Sequence, residues 1–244
     1  MAATIIIGGA AGVARITAEG MLARGDDVLL VDPSAEPIAG GQGTGRCRTL
    51  ALAPDDPAMP AAAVATAIEA FGTIDCVMIA AAAMRSAPLP EWTPAMWDAI
   101  VATNLRMPFF LARAAAPHLA RSDNASLLLI SSTAALRGQP GVAPFQASRA
   151  ALGGLMRSLT AELGPAGVRV NCILPGWIDT PFSAAFWAAQ PDPAAARASV
   201  DAQIPLRRQG MGHEVASFAL FLSSAAGRYI AGSEIVIDGG YTAV

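Results

Sequence analysis

The stretch Thr4-Ile5-Ile6-Ile7-Gly8-Gly9-Ala10-Ala11-Gly12-Val13-Ala14 decides the architecture. A β-favouring run leads straight into a glycine-rich turn, and the turn opens an alanine-rich helical pattern from Val13 to Arg24. Glycines there let the backbone turn tightly and approach a diphosphate, whose charge then rests on the amides of Gly8, Ala11, Gly12 and Val13 at the helix N-terminus. The next strand, Val28 to Asp32, ends on an acid 20 residues after Gly12, where a carboxylate accepts hydrogen bonds from adenosine ribose hydroxyls. No basic residue occupies Ala11 or Pro33 to hold a 2′-phosphate, so the expected cofactor is NAD(H) in preference to NADP(H). The competing account has Asp32 merely capping the turn into Pro33-Ser34.

Outward from this unit the chain keeps alternating strands with helices. Strands are expected at Cys47 to Leu52, Asp75 to Ile79, Ser126 to Ser131, Val168 to Leu174 and Glu234 to Ile237. Helices are expected at Ala61 to Phe71, Met96 to Leu119, Phe145 to Leu163 and His213 to Ser223. Near-continuous apolar strands such as Leu127-Leu128-Leu129-Ile130 fit burial on both faces, which makes one doubly wound α/β domain with a parallel sheet over residues 1–244. Two segments break the rhythm: Pro33 to Gly45, rich in Gly and Pro, and Pro181 to Gly210, which carries Phe182, Phe186 and Trp187. The second follows a strand's carboxyl end, where open α/β sheets bind ligands, so 181–210 is a candidate substrate lid. Two short packed helices are the plainer alternative.

Composition removes several classes of function. With 54% hydrophobic and 14% charged residues the chain can bury a sizeable core. All 16 basic residues are arginine, which excludes Schiff bases, a P-loop lysine and a lysine general base. A net charge of −3, with the arginines dispersed, gives no footprint for nucleic acid. No apolar run approaches the ~20 residues that span a bilayer, and MAATIIIGGAAG lacks the basic start of a signal peptide, so no membrane partner and a cytoplasmic location are expected. Cys47, Cys76 and Cys172 are far apart, without metal-ligand spacing, and read as buried reduced thiols; no metal site is expected.

The ordered set of motifs resembles the classical short-chain dehydrogenase/reductase family. It comprises the Gly8 to Ala14 turn, Asp32, Phe71-Gly72-Thr73-Ile74-Asp75, Asn104-Leu105 and Ile130-Ser131-Ser132. It continues with Phe145-Gln146-Ala147-Ser148-Arg149, Val168-Arg169-Val170-Asn171, Pro175 to Pro181 and Ile237-Asp238-Gly239-Gly240. The resemblance implies a serine that holds the substrate oxygen, a tyrosine that exchanges its proton, a lysine on the nicotinamide ribose, and an asparagine that orders a water relay. The serine corresponds to Ser132 and the asparagine to Asn104. The tyrosine position holds Phe145 and the lysine position Arg149. The resemblance also implies contacts to the cofactor from Ala80 and from Pro175, Gly176, Ile178 and Thr180. Pairing of long helices into dimers and tetramers is implied as well; the small faces of Ala112 to Ala116 and Ala150 to Leu159 suit it.

Phenylalanine has no proton to give, and losing a positioned acid costs about 10² to 10⁴ in rate. Arginine keeps the binding half of the lysine role, since its guanidinium does not exchange protons at neutral pH. Further departures are Ile7 before the first glycine, Ala14 for the third, Ala80-Ala81-Ala82 for a polar turn, and Ala53 for an acid facing adenine. Tyr229, Tyr241, His118 and His213 all lie outside the catalytic helix pattern.

Three functions stay open. One is an NAD(H)-dependent oxidoreductase acting on an apolar carbonyl or alcohol by a tyrosine-independent route, with Ser132 and a water as the proton path. Another is a non-catalytic nucleotide-binding relative with a scaffold or regulatory role. The last is a cofactor-independent lyase resembling haloalcohol dehalogenases, for which Ser132 and Arg149 fit and Phe145 does not.

Overall fold

The computed structural model describes residues 2–38 and 44–244. Seven parallel strands form the sheet: β1 (Ala3–Ile7), β2 (Asp27–Val31), β3 (Cys47–Leu50), β4 (Cys76–Ile79), β5 (Ser126–Ile130), β6 (Arg169–Pro175) and, last in the chain, a strand at Glu234–Ile237. Two two-residue strands, β7 (Ile178–Asp179) and β8 (Gly210–Met211), pair with each other beside it, so the last strand of the large sheet is β9. The spatial order is β3-β2-β1-β4-β5-β6-β9. The chain winds outward from β1 in one direction and from β4 in the other. The crevice beyond the carboxyl ends of β1 and β4 is therefore the switch point where such sheets bind ligands.

Strand residues alternate between two buried layers. Ile5, Ile7, Leu127 and Leu129 pack with α2 (Met59–Phe71), α4 (Met107–Leu119) and α5 (Ala143–Leu163) on one face. Ile6, Leu30 and Leu128 pack with α1 (Gly12–Ala23) and α8 (Gly212–Ser223) on the other. Both faces are covered, which is why the strands read as unbroken apolar runs instead of alternating ones. Helix ends follow local chemistry. Gly72, at φ +80°, closes α2 in the left-handed conformation, and the Thr93 side chain accepts the Met96 N–H at 3.3 Å to start α3 (Pro94–Val101).

Two expectations change, the long helix and Cys47, and the segment 181–210 gains its detail. The single helix expected at Met96 to Leu119 begins at Pro94 and is interrupted by a π-helical turn at Ala102–Arg106 between α3 and α4. The segment 181–210 folds as α6 (Pro181–Ala188), α7 (Pro193–Gln203) and β8, and Trp187 is buried within it at 3% exposure. Cys47 is only half-buried, while Cys76 and Cys172 are buried and desolvation pushes both thiols up to about 12. Of the glycine- and proline-rich stretch 33–45, residues 39–43 lie outside the described residues. No helix among the described residues is long and apolar enough to cross a membrane.

Candidate active site

The glycine turn forms the floor of the site. Gly8 sits at φ +87°, and a Cβ there would come within 2.8 Å of the Ala81 backbone nitrogen, so only glycine lets the turn nest against the segment leaving β4. Ala80 N–H donates to Ile7 O at 3.0 Å, locking the two together. Gly12, at φ +61°, faces Thr180, whose side chain would lie 3.5 Å from an added Cβ. Asp32, at the end of β2, accepts the Ser34 N–H at 2.9 Å and the Ser34 hydroxyl at 2.8 Å through one oxygen, Oδ1. It does cap the turn, and among the described residues its Oδ2 has no partner while the residue borders the cavity.

Ser132 follows β5 and opens a short 3₁₀ turn, its Oγ accepting the Ala134 N–H at 3.1 Å. Among the described residues its hydroxyl proton has no acceptor. Phe145, in the first turn of α5, is 6% exposed, and its ring centroid lies 6.5 Å from that of Phe182. Arg149, one helical turn on, is 2% exposed and holds its guanidinium 5.1 Å from the Phe145 ring centre. Its Nη1 donates to Ile130 O at 3.0 Å, whereas Nε and Nη2 have no protein partner among the described residues. Burial lowers the Arg149 pKa to about 10, so the group stays cationic at neutral pH.

Asn104 lies in the break between α3 and α4. It is fully buried in the π-helical turn and does not line the cavity. Its Oδ1 accepts the Ala83 N–H at 2.8 Å, and its Nδ2 donates to Ala83 O at 2.8 Å and to Ser148 Oγ at 3.0 Å. Ser148 Oγ donates in turn to Phe145 O at 2.7 Å. The side chain thus ties the segment after β4 to the start of α5 and positions both.

These pieces enclose one cavity of about 790 Å³. Gly8, Ala11, Gly12, Val13, Asp32, Ala80, Ser132, Phe145, Arg149, Pro175, Gly176, Ile178 and Thr180 all line it. Phe182 and Phe186 of α6, with Val200 and Gln203 of α7, form its outer wall, so two of the three aromatics of 181–210 face the cavity. Trp187 instead stacks on Trp177 at 4.8 Å between centroids. Sequence reasoning missed Arg137 and Tyr241, both on the wall. Tyr241 arrives because Gly239 and Gly240, at φ +64° and +87°, reverse the chain after β9, while Asp238 accepts the Gly240 and Thr242 N–H groups at 2.8 and 2.7 Å. The Asp-Gly-Gly run was the available signal, but nothing local says that the turn folds back onto the cavity wall.

A family model described as enoyl-(acyl carrier protein) reductase matches residues 8–242. The chain is a member of the short-chain dehydrogenase/reductase family. Within that family it is 30% identical over 98% of its length to the cis-4-hydroxycyclohexanecarboxylate dehydrogenase of Sinomonas cyclohexanicum, covering 96% of that protein. It is 32% identical over 179 residues, 72% of the chain, to human dehydrogenase/reductase SDR family member 4. The match spans 63% of the human protein's length. Among solved structures, levodione reductase superposes with a TM-score of 0.91 at 26% identity, over 100% of this chain and 98% of that one. A short-chain dehydrogenase/reductase from Brucella melitensis gives 0.88 at 29% identity, with 98% and 96% covered.

Proposed function

We propose that the protein is an oxidoreductase of this family that binds NAD(H) in preference to NADP(H) and acts on a carbonyl or alcohol carried by an apolar frame. The observation that carries the proposal is the convergence of the glycine turn, Asp32, Ser132, Arg149 and Thr180 on one cavity. The cavity fits a dinucleotide on two counts. A side chain at Gly8 would close the floor, and the two unpaired guanidinium nitrogens of Arg149 lack the acceptors that ribose hydroxyls would provide. The nicotinamide ring supplies hydride transfer when bound.

The chain's own residues divide the rest of the work. Gly8, Ala11, Gly12 and Val13 receive the diphosphate, and the free oxygen of Asp32 takes the adenosine ribose. Thr180 and the backbone of Pro175, Gly176 and Ile178 hold the carboxamide side. Arg149 holds the nicotinamide ribose, and Ser132 donates its hydroxyl proton to the substrate oxygen. Phe145 closes the place of a proton donor with a hydrocarbon, so protons reach the substrate oxygen through Ser132 and water. Phe182 and Phe186 make 181–210 the lid over the substrate. The name of the Sinomonas relative, a cis-4-hydroxycyclohexanecarboxylate dehydrogenase, supports a cyclic substrate frame.

Phe145 also favours a second account, a nucleotide-binding homologue without turnover. Calorimetric titration with NADH, with NADPH and an Asp32→Ala variant as controls, tests the shared premise. Saturable NADH binding, at least about tenfold tighter than NADPH and weakened in the variant, is expected. Binding of neither nucleotide would remove both accounts.

A further inference from the structure

Arg137 is a fixed cation without an anion. It follows Ser132 on the loop leaving β5, and its Nη1 donates to Tyr241 O at 2.7 Å. Its guanidinium carbon lies 4.2 Å from the centre of the Tyr241 ring. The loop is held from the other side as well, because the Gln146 side chain donates to Arg137 O. Two bonds and a stacked ring thus orient an exposed arginine at the rim of the cavity, where an unconstrained one would trail into solvent. None of the ion pairs among the described residues involves it.

The charge around the cavity is lopsided. The charged side chains that line it, among the described residues, are Asp32, Arg137 and Arg149. Asp32 follows β2 and the Ser132 side of the cavity follows β5, three strand positions away in the order β2-β1-β4-β5. At ~4.8 Å per strand that is about 14 Å, beyond the ~8 Å over which exposed charges act at physiological salt. The half of the cavity bounded by Ser132, Phe145, Phe182 and Tyr241 is therefore cationic and apolar at once. Apolar walls exclude cations and polar chains, and an oriented guanidinium selects a planar, two-oxygen anion that accepts two parallel N–H bonds.

We infer that Arg137, set by Tyr241, is a carboxylate-binding site, and that the substrate is a compact ring or branched hydrocarbon bearing the reacting carbonyl or alcohol at one end and a carboxylate at the other. The ring sits against Phe145 and Phe182, the reacting oxygen meets Ser132, and the carboxylate meets Arg137 at the rim. The inference rests on the reading of this cavity as an oxidoreductase site, but the anion site stands on Arg137 and Tyr241 alone.

The test is calorimetric binding of cyclohexanecarboxylate and benzoate against their neutral primary amides, to the wild-type chain and to Arg137→Gln, with and without NADH. The expected result is carboxylate binding roughly tenfold tighter than amide in the wild type. In Arg137→Gln that preference falls to within about twofold while amide affinity is unmoved, and Arg137→Lys, with charge but no fork, lies between. Equal binding of acid and amide, absence of carboxylate binding, or a preference that survives in Arg137→Gln overturns the inference. An Arg137-dependent preference in a protein that fails to bind NADH would keep the carboxylate site and remove the oxidoreductase reading. NADH binding without any such preference would do the reverse.

Discussion

In the proposed function, two side chains bear most directly on turnover. Phe145 and Arg149 stack on each other, and under the proposed assignment they stand where a phenol and an amine would, which keeps the positive charge and removes the exchangeable proton. Restoring both groups, Phe145→Tyr with Arg149→Lys, returns a proton donor next to an amine that lowers its pKa. The double variant is expected to reduce a cyclic ketone with NADH about 10² to 10⁴ times faster than the wild type. Steady-state NADH oxidation measures it. An unchanged rate in a variant that still binds NADH would mean that the pocket, not the missing acid, has been rebuilt. Both positions were legible only through the resemblance that the Phe145-to-Arg149 run carries, and one turn of helix puts them on a shared face. Arg137 and Tyr241 were not: they are 104 positions apart, and only the closed fold brings them together.

At the scale of elements, the strands and most helices were legible because the sheet is buried on both faces and its apolar runs carry no competing signal. The π-helical turn at Ala102–Arg106 was not, since the clamp of Asn104 on Ala83 that accompanies it has no trace in periodicity. Nor were the strands β7 and β8, each only two residues long. Their partnership is secured at the start of α8. Glu214 accepts the Met211 N–H at 2.7 Å and takes both Arg208 Nη groups at 2.8 and 2.7 Å. The Arg208 hydrogen bonds, then the Met211 amide, bring the Glu214 pKa down from 4.5 to about 2. A carboxylate with a depressed folded-state pKa adds stability above its unfolded value and loses it as pH falls through the folded one. Thermal midpoints of the wild type should therefore drop between about pH 4.5 and 2 partly through this group. Glu214→Gln should start lower at pH 7 and show a shallower acid limb. Parallel acid limbs in the two proteins would show that Glu214 does not contribute to the fall.

At the scale of the molecule, surface left uncovered indicates assembly. Ala112 and Ala115, expected on an outward face of α4, are fully buried under the chain's own sheet, so that helix offers Phe109 instead, 43% exposed. On α5 one outward stripe is small: Ala147, Ala150, Gly154 and Ser158 are exposed at helical spacing, with Arg157 beside them. Neighbouring α3 adds Trp97, 46% exposed. A flat stripe beside the helix that carries Trp97 lets a second copy approach closely, and a stable interface needs about 800 Å² from each partner. Gly154 separates assembly from folding cleanly. A Cβ added there meets nothing within 4 Å in the single chain, and replacing a mid-helix glycine gains up to about 1 kcal/mol of helix propensity. Gly154→Arg should thus leave the fold as stable as before or more so, while placing a bulky cation in the stripe. Sedimentation should show a dimer or tetramer for the wild type and a smaller species for the variant, with unchanged circular dichroism. A variant that keeps the wild-type mass would move the interface away from α5, and a monomeric wild type would leave the stripe without a partner copy.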